Sequence, residues 1–184
     1  MSLKIEGECQ GTLREYLGRI EIIESFNQEQ IMALQEMVND FLSQEKIAVV
    51  GVRTTMEDAA NSIYKKLKDA GHNVVAINPK TDTYKGDPCY PSVKDIPGGA
   101  QAAVLVTRPE LTEKVVRECK EAGITHVWMH RSIGDSTSQE AIAYCKENGI
   151  NVIPGACPMM FVEPVDFGHK CIKFIGKFAG YVPK

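Results

Sequence analysis

The sequence lacks the features that place a protein in a membrane or on nucleic acid. No apolar run approaches the ~20 residues that a membrane-spanning helix needs. The 21 Lys and Arg residues stand against 24 Asp and Glu residues, and the net charge of −3 argues against general binding to nucleic acid or to an anionic membrane surface. A local basic pocket remains compatible with this balance. We therefore expect neither nucleic acid nor a membrane as a partner.

Paired cysteines and a targeting signal are also lacking. The six cysteines are scattered, with no Cys-x-x-Cys pair, which argues against a zinc cage. Residues 1–6 lack the apolar core of a secretory signal, so we expect a cytoplasmic protein. Disulfides are rare in that compartment. Cys119 and Cys145 lie on apolar helix stripes, which predicts small buried core residues.

The sequence does contain a repeated alternation of buried strands and amphipathic helices. Short apolar runs without polar alternation are typical of strands buried on both faces, as in parallel sheets. They occur at residues 47–50, 74–77, 102–106, 126–129 and 151–153. Alternation with helices predicts an α/β fold, a Rossmann-like doubly wound parallel sheet with helices on both faces. Ligands of such sheets bind beyond the carboxyl ends of the strands. A short edge strand near Cys89 and a short helix at Ser92–Asp95 complete the prediction.

Helix starts are predicted from capping-box spacing, in which Ser or Thr precedes Glu or Gln by three residues. This spacing occurs at Thr54–Glu57, Thr107–Glu110 and Ser136–Gln139. Met56 and Leu111 are assigned to the buried stripes of the first two helices. The first helix follows Gly51, whose missing Cβ permits unusual backbone geometry, and it ends at Gly71. The free N–H groups of such a helix start suit a phosphate.

The predicted domain organisation places the sheet within residues 44–160. Residues 1–43 form an N-terminal arm and a covering helix that begins near Ser25. The apolar stripe of that helix consists of Ile31, Leu34, Val38, Phe41 and Leu42. Residues 161–184 form a C-terminal helical tail. We expect the covering helix to shield an end of the sheet, and we assign no function to residues 1–24.

The glycine turn lacks the rest of a dinucleotide fingerprint. Arg53 and Met56 occupy the positions where Gly-x-Gly-x-x-Gly requires further glycines. The second strand ends in Asn78-Pro79-Lys80, with no acid to hold a ribose 2′-hydroxyl. A lysine at that tip suits a phosphate on a ribose instead. Coenzyme A (CoA) carries one at the 3′ position and NADP carries one at the 2′ position, so both ligands fit.

Two further cations lie at predicted strand tips. Arg53 follows the first strand and Arg108 follows the third, which strengthens the prediction of a phosphorylated ligand. Glu57 and Asp58 count against a phosphate at the first helix itself. They favour a phosphate position nearer Arg53 and Lys80.

Five motifs in the chain resemble those of a known family. They are Val50-Gly51-Val52, Ile77-Asn78-Pro79-Lys80, the segment from Tyr90 to Pro97, Val127-Trp128-Met129-His130 and Cys157-Pro158. Together they resemble the small stand-alone CoA-binding proteins, which are similar to the N-terminal CoA-binding domain of succinyl-CoA synthetase α subunits and of NDP-forming acyl-CoA synthetases. The resemblance covers roughly residues 44–160.

The resemblance implies a cofactor-binding site at the strand tips. Its residues would be Gly51, Val52, Arg53 and Thr54 around the pyrophosphate, Asn78, Pro79 and Lys80 at the ribose phosphate, and Thr107, Arg108 and Pro109 along the adenosine or pantetheine path. The chain departs from the family pattern at two points. Arg53 and Thr54 stand where a serine is usual, and His130 stands where a glutamine usually follows the Trp128 strand.

Three side chains are candidates for a chemical role. Cys157 could form a mixed disulfide with CoA, although a small buried turn residue is the simpler interpretation. His130, with Arg131, is expected to line the pocket, because no orienting partner for a general base is visible. His169 invites comparison with the phosphohistidine of the synthetases, but that residue belongs to a second domain and a partner subunit. We predict no catalytic residue and no metal site.

The leading hypothesis is a non-catalytic protein that binds CoA or acyl-CoA. An NADP-binding oxidoreductase or redox sensor is the alternative, although the predicted sheet leaves little chain for a substrate domain. A subunit of an acyl-CoA ligase that needs a partner chain is the third. The expected partners are a small nucleotide ligand and either a second copy of the chain or a protein that handles acyl-CoA.

Overall fold

A computed structural model describes residues 29–132 and 134–165. The chain divides into two compact units, residues 1–36 and residues 37–184. In the first unit the described residues, 29–36, are helical, and helical residues of the second unit run to 42. We call the helical residues 37–42 of the second unit α1. The predicted helix start near Ser25 and the predicted tail helix lie outside the described residues.

The described part of the chain contains a seven-stranded sheet in the second unit. Its strands are β1 (Ile47–Val50), β2 (Val74–Ile77), β3 (Thr83–Tyr84), β4 (Asp87–Tyr90), β5 (Ala102–Leu105), β6 (His126–Met129) and β7 (Asn151–Pro154). The spatial order is β3-β4-β2-β1-β5-β6-β7, and every neighbouring pair is parallel except β3 with β4. The chain winds outward from β1 in one direction and from β5 in the other, so strand order reverses between these two strands. The doubly wound sheet is therefore confirmed.

Helices cover both faces of this sheet. They are α2 (Ala59–Asp69), α3 (Pro109–Glu121) and α4 (Gln139–Glu147), with short 3₁₀ helices at Val93–Asp95 and Pro158–Met160. A buried apolar cluster joins α3, α4 and the first 3₁₀ helix to alternate residues of β1, β5, β6 and β7. Cys119 and Cys145 belong to it, as predicted, and burial raises the pKa of both thiols, that of Cys145 to about 11.

The opposite face is covered by α2 and by the end of α1. Residues that alternate with the cluster along β6 must point the other way. Trp128 does so, and its ring meets that of Phe41 edge-on at a centroid distance of 5.3 Å. Val38 and Phe41 are both buried, which confirms the predicted stripe at these positions. The predicted edge strand near Cys89 is β4, although β3 pairs beyond it and forms the actual edge.

The three predicted helix starts were wrong. Helix α2 begins after Asp58, whose carboxylate accepts hydrogen bonds from the N–H groups of Ala60 and Asn61. Residues 51–58 form a loop, and Thr54 is exposed in it. A carboxylate adjoining the helix is as good a cap as threonine, so the later residue caps α2. Met56 lies in the loop and is exposed rather than part of a buried stripe.

The hydroxyls expected to cap α3 and α4 bind elsewhere. Thr107 Oγ1 lies 2.7 Å from Thr112 Oγ1, and Ser136 Oγ accepts the Thr107 N–H at 3.0 Å. Helix α3 consequently begins at Pro109 without a side-chain cap, and Ser138 caps α4. Leu111 is exposed, and the buried stripe of α3 is formed by Thr112, Val115, Val116 and Cys119. Among the described helices, none combines the length and apolar character needed to cross a bilayer.

Candidate functional site at the carboxyl edge of the sheet

The carboxyl ends of the parallel strands bring five loops to one edge of the sheet. Gly51 opens the loop after β1, and its N–H donates to the Ile77 carbonyl of β2 at 3.0 Å. A Cβ at this glycine would lie 2.4 Å from the Val106 carbonyl oxygen, just beyond β5. Its φ of +107° is also one that other residues rarely adopt. Gly51 therefore lets the exits of β1 and β5 pack together at the point where strand order reverses.

Asn78 ties the loop after β1 to the turn after β2. Its side-chain amide donates to the Val52 carbonyl, and its side-chain oxygen accepts the Lys80 N–H at 2.8 Å. Its own N–H donates to the Tyr90 carbonyl of β4 at 3.0 Å. The side chain of Asn78 thus fixes the backbone of Val52 relative to the backbone of Lys80. Val52 is fully buried, whereas Lys80 is exposed. Pro79, between them, restricts the backbone of this turn.

The Arg53 backbone is held by a residue that the sequence analysis missed. Asn61 on α2 accepts the Arg53 N–H at 3.1 Å and donates to the Arg53 carbonyl at 2.7 Å. It also contacts the Tyr84 hydroxyl at 2.7 Å and is only 1% exposed. The Arg53 guanidinium meanwhile pairs with Asp58 at 3.0 Å. An asparagine beside the apolar stripe of α2 was the available signal, because buried polar side chains in helices usually have a partner.

The tip of β5 presents a different kind of surface. The N–H of Thr107 donates to the Ser136 hydroxyl, and its own hydroxyl contacts that of Thr112. These two contacts fix the position of the Thr107 backbone. Arg108 is exposed just before α3, and Pro109 begins that helix. Within the described residues, the side chains of Arg108 and Lys80 have no hydrogen-bond or ion-pair partner, whereas Arg53 is paired. Thr54 is exposed in the first loop.

His130 follows β6 and is a buried polar residue of this edge. It is 2% exposed, and its Nε2 has no hydrogen-bond partner in the part of the chain that the structure describes. Its backbone is fixed by bonds to Leu105 and Ser136 at 3.0 and 2.9 Å. Burial lowers the pKa of its imidazole, against the opposite influence of Asp135 and then Asp58. The ring is therefore neutral near pH 7.

The loop after β7 supplies structure to this edge. The Trp128 indole N–H donates to the Gly155 carbonyl at 2.8 Å, which anchors the loop to β6. Cys157 is buried and directly precedes the 3₁₀ helix that starts at Pro158. Arg131, in the loop after β6, donates its N–H to the Ala156 carbonyl at 3.0 Å, and its guanidinium pairs with Asp135 at 3.3 Å. His169 lies outside the described residues.

The geometry defines a class of site before any relative is considered. A glycine-opened loop, a backbone-fixed lysine turn and an exposed arginine converge where the strand order of a doubly wound sheet reverses. That position is where such sheets bind nucleotides. The family model described as the CoA binding domain matches residues 45–163. The chain belongs to the CoA-binding domain family.

Similar proteins fall into two groups. The chain is 30% identical to the ADP-forming acetate–CoA ligase I of Archaeoglobus fulgidus, over 58% of this chain and 18% of the ligase. It is 27% identical to the uncharacterized protein YneT of Bacillus subtilis, over 61% of this chain and 82% of that protein. A solved structure of a hypothetical protein from Pyrococcus horikoshii is 31% identical, with a TM-score of 0.65 over 71% of this chain and 91% of that one.

The two groups differ in how much of each relative is covered. The chain spans 18% and 11% of two acetate–CoA ligases, from Archaeoglobus fulgidus and Methanocaldococcus jannaschii. It spans most of the stand-alone relatives. The described fold therefore corresponds to one domain of the ligases and to nearly the whole of the smaller proteins.

Proposed function

We propose that this chain binds CoA or acyl-CoA at the carboxyl edge of its sheet and does so without catalysing a reaction on it. The observation that carries the proposal is the Asn78 bridge. It fixes the Lys80 turn against the loop that begins at Gly51, so that a cation follows the strand next to β1, the strand that this loop follows. Membership in the CoA-binding domain family supports CoA over other phosphorylated nucleotides.

The proposed pose follows the order of the strands. The ribose 3′-phosphate lies at Asn78, Pro79 and Lys80 beyond β2, and the pyrophosphate lies at residues 51–54 beyond the neighbouring β1. Thr107, Arg108 and Pro109 beyond β5 line the adenosine or pantetheine path. Arg53 can serve the pyrophosphate if the ligand competes with Asp58 for its guanidinium. That pair is half-exposed on the arginine side, so exchange between two anions is inexpensive.

The absence of catalysis is proposed from the side chains at this edge. A general base needs a partner that orients it, and Asp135 and Asp58, the carboxylates that influence the His130 imidazole, are instead paired with arginines. The acetate–CoA ligases also carry most of their length outside the region that this chain matches. Binding without turnover is therefore the function that the described residues support.

Isothermal titration calorimetry with CoA and 3′-dephospho-CoA tests the proposal. The two ligands differ by the phosphate that Lys80 is proposed to hold. A charge-assisted hydrogen bond is worth about 1.5–3 kcal/mol, or roughly ten- to a hundredfold in affinity. We expect Lys80→Ala to weaken CoA by that factor and to leave dephospho-CoA nearly unchanged. The double comparison separates the lysine–phosphate coupling from general damage.

Lys120→Ala is the matched control, because it removes the same charge at the far end of α3. Its ammonium donates to the Asn148 carbonyl and lies near the amino ends of the strands. We expect it to leave both affinities unchanged. Equal losses for the two ligands in Lys80→Ala would show that Lys80 does not bind the 3′-phosphate. Tighter binding of NADPH than of CoA, with the same dependence on Lys80, would replace the proposal with an NADP site.

A further inference from the structure

His130 is the unexplained polar group of the described structure. The residue is only 2% exposed, and its Nε2 is buried with no hydrogen-bond partner among the described residues. Buried polar atoms in native proteins are almost always satisfied, and each exception calls for a reason. A partner supplied by a bound ligand is one such reason, and a strand tip at the edge described above is where a ligand would supply it.

The electrostatic influences on the His130 imidazole come from two loops of the candidate site. The carboxylates that influence it are Asp135, in the loop after β6, and Asp58, at the end of the loop after β1. Between β1 and β6 in the sheet lies β5, whose Leu105 carbonyl accepts the His130 N–H. His130 is therefore linked to the loop after β1 by electrostatics and to β5 by a backbone hydrogen bond, and strand order reverses between these two strands.

The order of the strands indicates which part of a CoA ligand reaches this ring. With the ribose phosphate beyond β2 and the pyrophosphate beyond β1, the rest of the ligand continues past β5 toward β6. That remainder is the pantetheine arm, which ends in the thiol or thioester. This step rests on the proposed function.

The local charge favours an uncharged ligand group at His130. Asp135 and Asp58 act on the imidazole electrostatically, and each already pairs with an arginine, at 3.3 and 3.0 Å. Burial lowers the pKa of the imidazole, so the ring brings no charge of its own to attract a phosphate. The pantetheine arm is uncharged and carries amide groups, which can accept or donate a hydrogen bond.

We propose that His130 Nε2 forms a hydrogen bond with an amide of the pantetheine arm of bound CoA and thereby positions the thiol or acyl end of the ligand. His130 is then a specificity-determining residue of the site. The same position in the family pattern is usually glutamine, whose amide can also donate or accept, so the chemistry of the contact is shared although the side chain differs.

The test compares CoA with 3′-phosphoadenosine 5′-diphosphate, which keeps the nucleotide with its pyrophosphate and lacks the pantetheine arm. His130→Leu should weaken CoA roughly three- to tenfold, the factor expected for one neutral hydrogen bond, and should leave the affinity for 3′-phosphoadenosine 5′-diphosphate within about twofold. His130→Gln should restore most of the CoA affinity. His126→Gln, at the other end of β6, is the control and should change neither ligand.

A second measurement does not depend on a variant that folds. The imidazole nitrogens of wild-type His130 are followed by long-range ¹H–¹⁵N NMR while each ligand is added. We expect the Nε2 resonance to shift with CoA and not with 3′-phosphoadenosine 5′-diphosphate. A shift with both ligands, or equal losses of both affinities in His130→Leu, would assign His130 to the nucleotide and overturn the inference. Unchanged CoA affinity and resonances would also overturn it. Failure of wild type to bind CoA at all would instead refute the proposed function.

Discussion

The two edges of the sheet differ in how completely their polar groups are paired. At the amino edge, His126 Nε2 lies 2.9 Å from Asp40 and 3.1 Å from Asn151, and its Nδ1 lies 2.9 Å from Thr125. The ammonium of Lys46 donates to the Pro97 carbonyl at 2.9 Å. At the carboxyl edge, His130 Nε2 has no partner within the described residues. The side chains of His126 and Lys46 at the amino edge are thus bonded within the protein, whereas the carboxyl edge keeps a buried nitrogen that can still form a hydrogen bond.

The histidines at the two ends of β6 show this contrast, since His126 begins the strand and His130 directly follows it. They are about 13 Å apart along the chain, at a rise of about 3.3 Å per residue. Both are buried, at 8% and 2% exposed, yet one is fully bonded and the other is not. Burial alone therefore does not identify a functional histidine. The missing partner of His130 Nε2, at the edge where we propose that CoA binds, is what distinguishes the two residues.

Glycine substitutions should give the largest difference between the edges. Gly51→Ala places a Cβ 2.4 Å from a backbone oxygen at a φ of +107°, so we expect a loss of about 2–5 kcal/mol in unfolding free energy. Gly149→Ala, which follows α4 near the amino edge, has a φ of +68° and no atom within 4 Å of the new Cβ. We expect about 1–2 kcal/mol there. Urea unfolding measures both, and equal losses would show that the contact with Val106 relaxes freely.

A smaller effect should appear in the pH dependence of stability. Burial lowers the pKa of His130 below its ordinary 6.5. As the pH falls through 6.5, the unfolded chain takes up a proton at this residue before the folded protein does. The contribution of a neutral His130 to stability is therefore complete above that pH and is lost toward acid. We expect the wild type to lose more unfolding free energy between about pH 7 and pH 5.5 than His130→Gln.

Two carboxyl groups affect stability only at a lower pH than His130 does. Neighbouring donors lower the pKa of Asp87, chiefly through Lys68, and bonds from Thr137 lower that of Asp135 despite its desolvation. Their contributions to stability are lost only as the pH falls through the ordinary carboxyl value of 3.8 and below. An identical loss in wild type and His130→Gln above pH 5 would show that the histidine is not the group responsible.

The strands and the burial of their two faces were predictable from the sequence, whereas the helix starts were not. Runs such as Ile47–Val50 carry their own signal because both faces of a parallel strand are buried. Capping depends on competition for a hydroxyl. Thr107 and Ser136 are 29 positions apart, so the bond between them is invisible to local spacing. Asp58 succeeded as a cap because it adjoins the helix after a longer loop.

The candidate site was predictable at the level of positions. Parallel strands place Gly51, Lys80 and Arg108 at one edge whatever the details of packing. The partners of these residues were not predictable, because Asn61 and Asn78 act through contacts between separate elements. The roles of the ten predicted binding residues remain predictions, which the ligand experiments address. The missing partner of His130 became apparent only from three-dimensional burial.

Hydrogen–deuterium exchange with and without saturating CoA tests the central contrast most directly. Ligand binding suppresses local opening around its site. We expect slower exchange in the carboxyl-edge segments 51–58, 78–82, 106–109 and 130–136, and unchanged exchange in the amino-edge segments 97–101, 122–125 and 148–150. Protection confined to the amino edge, or bound CoA with no protection at the carboxyl edge, would contradict the assignment of the site.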